Sequence, residues 1–286
     1  GADAGESGGG SGGQPVQAAF AGDAAAFYRG NEAAGRLAAS AEQASLAYTG
    51  ARKFAIAGAG TGGGSGGVTL SAQVVQEPDG SLGELAGLPV RFTVSAWNPD
   101  GSLSPVAAVA DAVYATDAAG VASAAVGLPS GLYQVKARLL GNGYYTPSET
   151  TADIAVFESA PGAAGVNGHI DLTPGGDPLI GTRANKLHVE SRVTADGRGV
   201  AQGTMRVHAE PQGADWTVSA FDWLVLDGER VYAQGVAVYE GDVHTVRLMA
   251  RDGTVTLAVW KGTDLSSAPV FVRSGERLQG SVRIER

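Results

Sequence analysis

Four histidines stand in the chain, His169, His188, His208 and His244, and none is spaced H-x-x-x-H as a helical zinc site would need. Two of them open His-x-Glu patterns, His188 with Glu190 and His208 with Glu210. Residues two apart share a strand face, so side-by-side pairing of these two segments would gather two imidazoles and two carboxylates. Polar alternation on a wet strand face writes the same letters. We therefore expect solvent-facing residues and no metal.

Other patterns weaken when their mechanism is asked for. Gly63-Gly64-Ser65-Gly66-Gly67 and Gly9-Gly10-Ser11-Gly12-Gly13 satisfy G-x-S-x-G, but a nucleophile elbow needs a strand-to-helix turn with His and acid partners, and a strand follows Ser65. Gly58-Ala59-Gly60-Thr61-Gly62-Gly63 matches G-x-G-x-x-G without the helix N-terminus and parallel βαβ unit that hold a pyrophosphate. Neither a catalytic residue nor a cofactor is expected. Five Asp-Gly dipeptides, at Asp79, Asp100, Asp196, Asp227 and Asp252, lack the D-x-D-x-D-G spacing of a calcium loop. Turn chemistry explains them, with calcium between domains as the minor alternative. Trp97, Trp216, Trp223 and Trp260, with Tyr144 and Tyr145, suit either core packing or an aromatic platform for sugar rings. Of these, Trp97 with Asn98 and Asp100, and Tyr144 with Tyr145, form the candidate ligand-binding set. Lys136 and Lys186 are the strand lysines an isopeptide crosslink would use, and no motif accompanies them.

These residues must be carried by short strands. Gly is abundant, at 44 of 286 residues, and charged residues make up only 17%, which favours strands and tight turns because Gly costs about 1 kcal/mol in a helix interior. Cysteine is absent, so no disulfide or thiolate site exists. A formal charge of -9 argues against nucleic acid and anionic membrane as partners. No apolar run is long enough to span a bilayer, and no basic n-region with an apolar h-region opens the chain. A start at Gly1-Ala2-Asp3 reads as a mature product or a fragment.

Residues 1–13 read as a flexible Gly/Ser linker. Val16 to Gly30 echoes Val135 to Thr146, so 14–44 is expected to be the last strands of a preceding repeat, with a short helix over Ala33 to Ala47 as the alternative. Strands are expected at Ser45–Thr49, Lys53–Ala57, Val68–Gln76, Pro89–Ala96, Ala112–Thr116, Val121–Val126, Leu132–Leu140 and Thr151–Phe157. The segment Trp97–Pro105 forms an excursion around Asp100-Gly101. Tyr133, Val135, Ala137 and Leu139 alternate with Gln134, Lys136 and Arg138, which marks one buried face and one wet one.

The Thr116-Asp117-Ala118-Ala119-Gly120-Val121-Ala122 hairpin, the Gly131-Leu132-Tyr133-Gln134-Val135 strand, the Gly141-Asn142-Gly143-Tyr144-Tyr145-Thr146-Pro147 ending and Gly87-Leu88-Pro89-Val90-Arg91-Phe92-Thr93-Val94 resemble the bacterial immunoglobulin-like repeats of secreted and surface proteins. The resemblance covers 45–157 and implies a β-sandwich of about seven strands.

Residues 158–166 read as a linker. In 167–286 successive strands are expected at Leu187–Val193, Gly203–Glu210, Thr217–Leu226, Arg230–Tyr239, His244–Arg251 and Thr254–Lys261, with Asp252-Gly253 the strongest hairpin signal. An antiparallel meander, barrel or sandwich, follows. Trp223–Leu226, Val231–Gly235, Thr245–Gly253 and the closing Leu278–Ile284 are similar to a module at the C-terminus of bacterial secreted proteins, to which no activity attaches.

The expected protein is all-β, an immunoglobulin-like sandwich followed by a second antiparallel β domain. Its expected role is a non-catalytic, extracellular or cell-surface spacer or assembly module, with other domains of the same polypeptide or neighbouring subunits as partners. The alternative is a glycan- or protein-binding adhesion module. A polar cleft with converging ionisable groups between the halves would require the spacer reading to be abandoned.

Overall fold

The computed structural model describes residues 14–20, 31–37, 41–56, 66–76, 83–106, 112–172, 183–196, 200–211, 213–265 and 267–285. All of its regular structure is β; no helix occurs among the described residues. The linker 1–13, both G-x-S-x-G serines, the G-x-G-x-x-G loop and Asp79 lie outside them.

Strands β1 (Gln14–Phe20) and β2 (Asn31–Leu37) form an antiparallel two-stranded sheet with Gln14 opposite Leu37. The helix alternative over Ala33–Ala47 is thus replaced by strand at both ends of that span. The sandwich begins before residue 45. Glu42 donates its N–H to the Tyr144 carbonyl at 2.7 Å and accepts from Thr146 N at 2.9 Å, which ties residue 42 to the loop around Tyr144.

One face of the sandwich is β3 (Ala44–Tyr48), β5 (Gly66–Gln76) and β9 (Val121–Leu128). The other runs β4 (Lys53–Ile56), β11 (Ser148–Glu158), β10 (Gly131–Leu139), β6 (Pro89–Trp97) and β7 (Leu103–Pro105), with β8 (Val113–Ala115) also on β6. The alternating residues of β10 place Tyr133, Val135, Ala137 and Leu139 in the core against Leu70, Phe92, Leu128 and Ile154. Burial of these side chains, each contributing about 1.5–3 kcal/mol, holds the two sheets face to face.

The remaining sheet is a meander of β12 (Gly162–Asp171), β13 (Lys186–Ala195), β14 (Ala201–Glu210), β15 (Asp215–Asp227), β16 (Arg230–Tyr239), β17 (Asp242–Arg251), β18 (Thr254–Lys261) and β19 (Phe271–Arg277). A final strand, β20 (Gln279–Glu285), pairs with β12. Only the buried Leu278 separates β19 from β20, so one bent strand spans the two ends of the meander and nearly closes a barrel. Closure hides the edges that an open sheet would present. At its seam Gly168 faces Gly280, and a Cβ on Gly168 would lie 2.8 Å from the Gln279 carbonyl oxygen.

Residues 162–166, expected as linker, are the first half of β12. Their small side chains suit a strand that must approach two neighbours, and only 159–161 connect β11 to β12. The two-residue turn at Asp252-Gly253 is present, with Arg251 opposite Thr254.

Strict alternation along β15 would put Asp222 inside the barrel. Two bulges, between Val218 and Ala220 and between Phe221 and Trp223, prevent it. Trp216 and Val218 face the core, Phe221 packs against it, and Leu224 joins the inner layer that includes Val231 and Ala233. Asp222 turns outward, with Trp223 and Val225, toward the sandwich.

Candidate functional site

The outward faces of β15, β16 and β17 meet β10 and β11 of the sandwich. Leu132, Ala155 and Phe157 pack with Trp223, Val225, Tyr232 and Met249, and Trp97 lies at the margin. At the centre is Arg247, a charged residue inside the otherwise buried run Thr245–Ala250 and itself only 4% exposed at its side chain. Alternation turns Val246 and Leu248 into the barrel and Arg247 out of it.

The Arg247 guanidinium is enclosed by fixed partners. It lies 4.9 Å from the Trp260 ring centroid and 6.0 Å from that of Trp223, a cation held against aromatic faces. Its Nη1 donates to Asp153 Oδ2 at 2.6 Å and its Nε to Gln234 Oε1 at 2.9 Å. Trp97 Nε1 donates to the other Asp153 oxygen at 3.0 Å, and Gln234 Nε2 donates to Asp222 Oδ2 at 2.9 Å. Tyr232 completes the set by donating its hydroxyl to the Trp97 carbonyl at 2.9 Å. Burial pushes the Tyr232 phenol above its ordinary pKa.

Beside this network runs a polar cleft of about 700 Å³ lined in part by Arg52, Lys53, Gln134, Glu149, Thr151 and Asp222. A cleft between the halves is present and ionisable groups line it, but they are bound to separate partners instead of converging on one point. Each of its best-placed acids already has a partner: Glu149 pairs with Lys136 at 3.0 Å, Asp153 with Arg247, and Asp222 with Gln234. A nucleophile paired to a base is not seen among the described residues lining it.

The candidate aromatic set divides. Trp97 ends β6 at the junction, while Tyr144 and Tyr145 follow β10 at its other end; Ala96 pairs with Tyr133 and Val90 with Leu139, so the length of β10 separates them. Tyr145 is buried, edge-on to Tyr144 and bonded to Gln76, whereas Tyr144 is 45% exposed. Asn98 donates to the hydroxyls of Ser102 and Ser104 at 3.1 and 2.8 Å. Asp100 accepts from the Ser102 hydroxyl and N–H at 2.6 and 2.9 Å, and these bonds hold its carboxyl below the ordinary aspartate value. The turn rests on the second domain, since a Cβ on Gly101 would meet Ser274 Oγ at 2.9 Å.

Two other Asp-Gly acids act locally, Asp196 accepting from Val200 N at 2.9 Å and Asp227 lying 3.7 Å from Arg230. His188 and His208 do become neighbours, and His169 joins them from β12, although its letters gave no warning. Glu190 instead lies opposite Arg206, one row away. His244 is buried elsewhere, with Nδ1 3.2 Å from the Asp242 carbonyl oxygen. Sequence reasoning missed Asp153, Gln234, Asp222 and Arg247. The available signal was a lone arginine in an apolar strand.

Compared with protein-family models and with curated proteins, the chain finds no match.

Proposed function

We propose that this chain is a non-catalytic spacer or assembly module of a larger extracellular or cell-surface polypeptide. The observation that supports it is the junction, where a three-residue connection, a shared apolar cluster and the Arg247–Asp153 pair fix one β domain on the next. A spacer has to transmit orientation as well as length. Flexible linkers leave domains free to move, whereas an interface with a buried apolar centre restrains them. Among the described residues no helix is long and apolar enough to cross a membrane.

Residual dipolar couplings test this directly. Amides of the sandwich and of the barrel should fit one common alignment tensor. Two tensors of clearly different magnitude would mean independent reorientation and would remove the basis for the spacer.

The polar cleft favours a second function, binding of a glycan or protein segment along Gln134, Thr151 and Asp222. Saturable chemical-shift changes confined to those residues on screening oligosaccharides would select it. No response across the screen would leave the spacer as the better account.

A further inference from the structure

The outer face of the barrel around β12 carries a groove of about 570 Å³ that the junction does not use. Its floor holds Gly165 and Asn167, one wall holds Arg192 and Thr194 of β13, and the other holds Ser281 and Arg283 of β20. One row of the sheet creates it. Gly165 pairs with Arg192 on one side and with Arg283 on the other. Their chain neighbours Ala164, Val166 and Val193 lie in the barrel core, and Val282 and Ile284 pack against it. Alternation therefore turns the glycine and both arginines outward. Among the described residues, and apart from its own chain neighbours, a Cβ on Gly165 would have only the Ser191 carbonyl oxygen within 4 Å, at 3.6 Å. The space between the arginines is open.

We propose that this groove binds a short acidic glycan, with Arg192 and Arg283 holding one uronate carboxylate between them. Neighbouring strands stand about 4.8 Å apart, so the two arginine backbones are roughly 10 Å from each other across the glycine. Two guanidinium forks on flexible stems can meet on a single planar anion over that span. Both are free to do so. Arg206, Arg230 and Arg247 of the same sheet each pair with an aspartate, whereas Arg192 and Arg283 have no such partner among the described residues.

The surroundings select a sugar as the carrier of that carboxylate. Asn167, Thr194 and Ser281 offer amide and hydroxyl groups to the hydroxyls of a saccharide ring. Strand β12 is paired on both sides, so an extended peptide finds no free backbone edge to join. The formal charge of -9 repels a broad anionic surface and confines attraction to a place where two cations adjoin. Glu285 is the one acid lining the groove among the described residues, level with Ala163 and two residues beyond Arg283. It keeps the ligand's negative charge at the level of Gly165. Glu190, level with Asn167, has Arg206 opposite it on its other side. The site belongs to the barrel alone and does not depend on the spacer reading.

The test is an amide-shift titration of the isotopically labelled full chain with a galacturonate hexamer at low ionic strength, beside maltohexaose and hexaglutamate. The uronate should bind saturably with a Kd of about 1 mM or tighter and move the amides of Gly165, Asn167 and Arg283. The neutral hexamer should leave them in place. Arg192→Gln and Arg283→Gln should each weaken binding about tenfold, and Glu285→Gln should strengthen it about twofold. Gly165→Val has room for its side chain and keeps both charges, yet it should abolish the shifts because it fills the space between the guanidinium groups. No saturable uronate binding, retained binding in Gly165→Val, equal affinity for hexaglutamate or maltohexaose, or shifts centred on the junction cleft would overturn the site.

Discussion

Replacing Asp153 by alanine removes the counterion of Arg247 and leaves the guanidinium buried between two indoles. At the observed 2.6 Å, the direct attraction is about 6 kcal/mol at an effective permittivity of about 20. Desolvation offsets much of that in the intact pair, but deleting one partner leaves the cost of the other behind. Losses for broken buried pairs run at about 3–5 kcal/mol. Asp153 is 18% exposed at its side chain, so water can partly replace it and the expected loss is about 3 kcal/mol, a factor of about a hundred in the coupling of the two domains. The assay is urea unfolding followed by tryptophan fluorescence, since Trp97, Trp223 and Trp260 all border the pair. Asp153→Ala should separate the transitions of sandwich and barrel. Arg247→Met in the same chain should restore much of the loss, because no charge then remains buried. A loss below about 1 kcal/mol, or a double variant no better than Asp153→Ala alone, would show that the pair does not hold the junction.

The seam of the barrel is the second place to perturb. Gly280→Ala would drive a Cβ into the Asn167 carbonyl oxygen of β12. The cost should be about 1–3 kcal/mol, read as faster amide exchange confined to β12 and β20. In the sandwich, burial raises the Tyr48 phenol from its ordinary 10.0 to about 12, and its hydroxyl donates to the Ala51 carbonyl. The unfolded phenol ionises first as pH rises, so the stability this group provides is intact below pH 10.0 and is lost as pH climbs toward about 12. Tyr48→Phe should flatten that part of the stability profile, and an unchanged alkaline slope would count against it.

Much of the fold was legible because strands write their faces into the sequence. Arg230–Tyr239 and Thr254–Lys261 are strands over the same residues expected from the sequence, and Leu132–Leu140 differs by one residue at each end. Local chemistry also set the turns, as Asp252-Gly253 illustrates. The boundary at 158–166 was misread because Gly162, Ala163, Ala164 and Gly165 have the composition of a linker. They are strand because β13 and β20 supply backbone partners on both sides.

By itself the sequence determined the all-β class, the faces of strands such as Leu132–Leu140 and the positions of tight turns such as Asp252-Gly253, since each of these depends on residues a few places apart. The tertiary structure alone decided what those faces meet. Asp153 and Arg247 lie 94 residues apart, and no local period links them. The bulges that turn Asp222 outward exist because the barrel must close with Phe221 against its core. His169, His188 and His208 became a row only when three strands settled into register. Register is fixed by the whole set of buried faces at once, so side-chain proximity across strands is a property of the assembled sheet and not of any one segment.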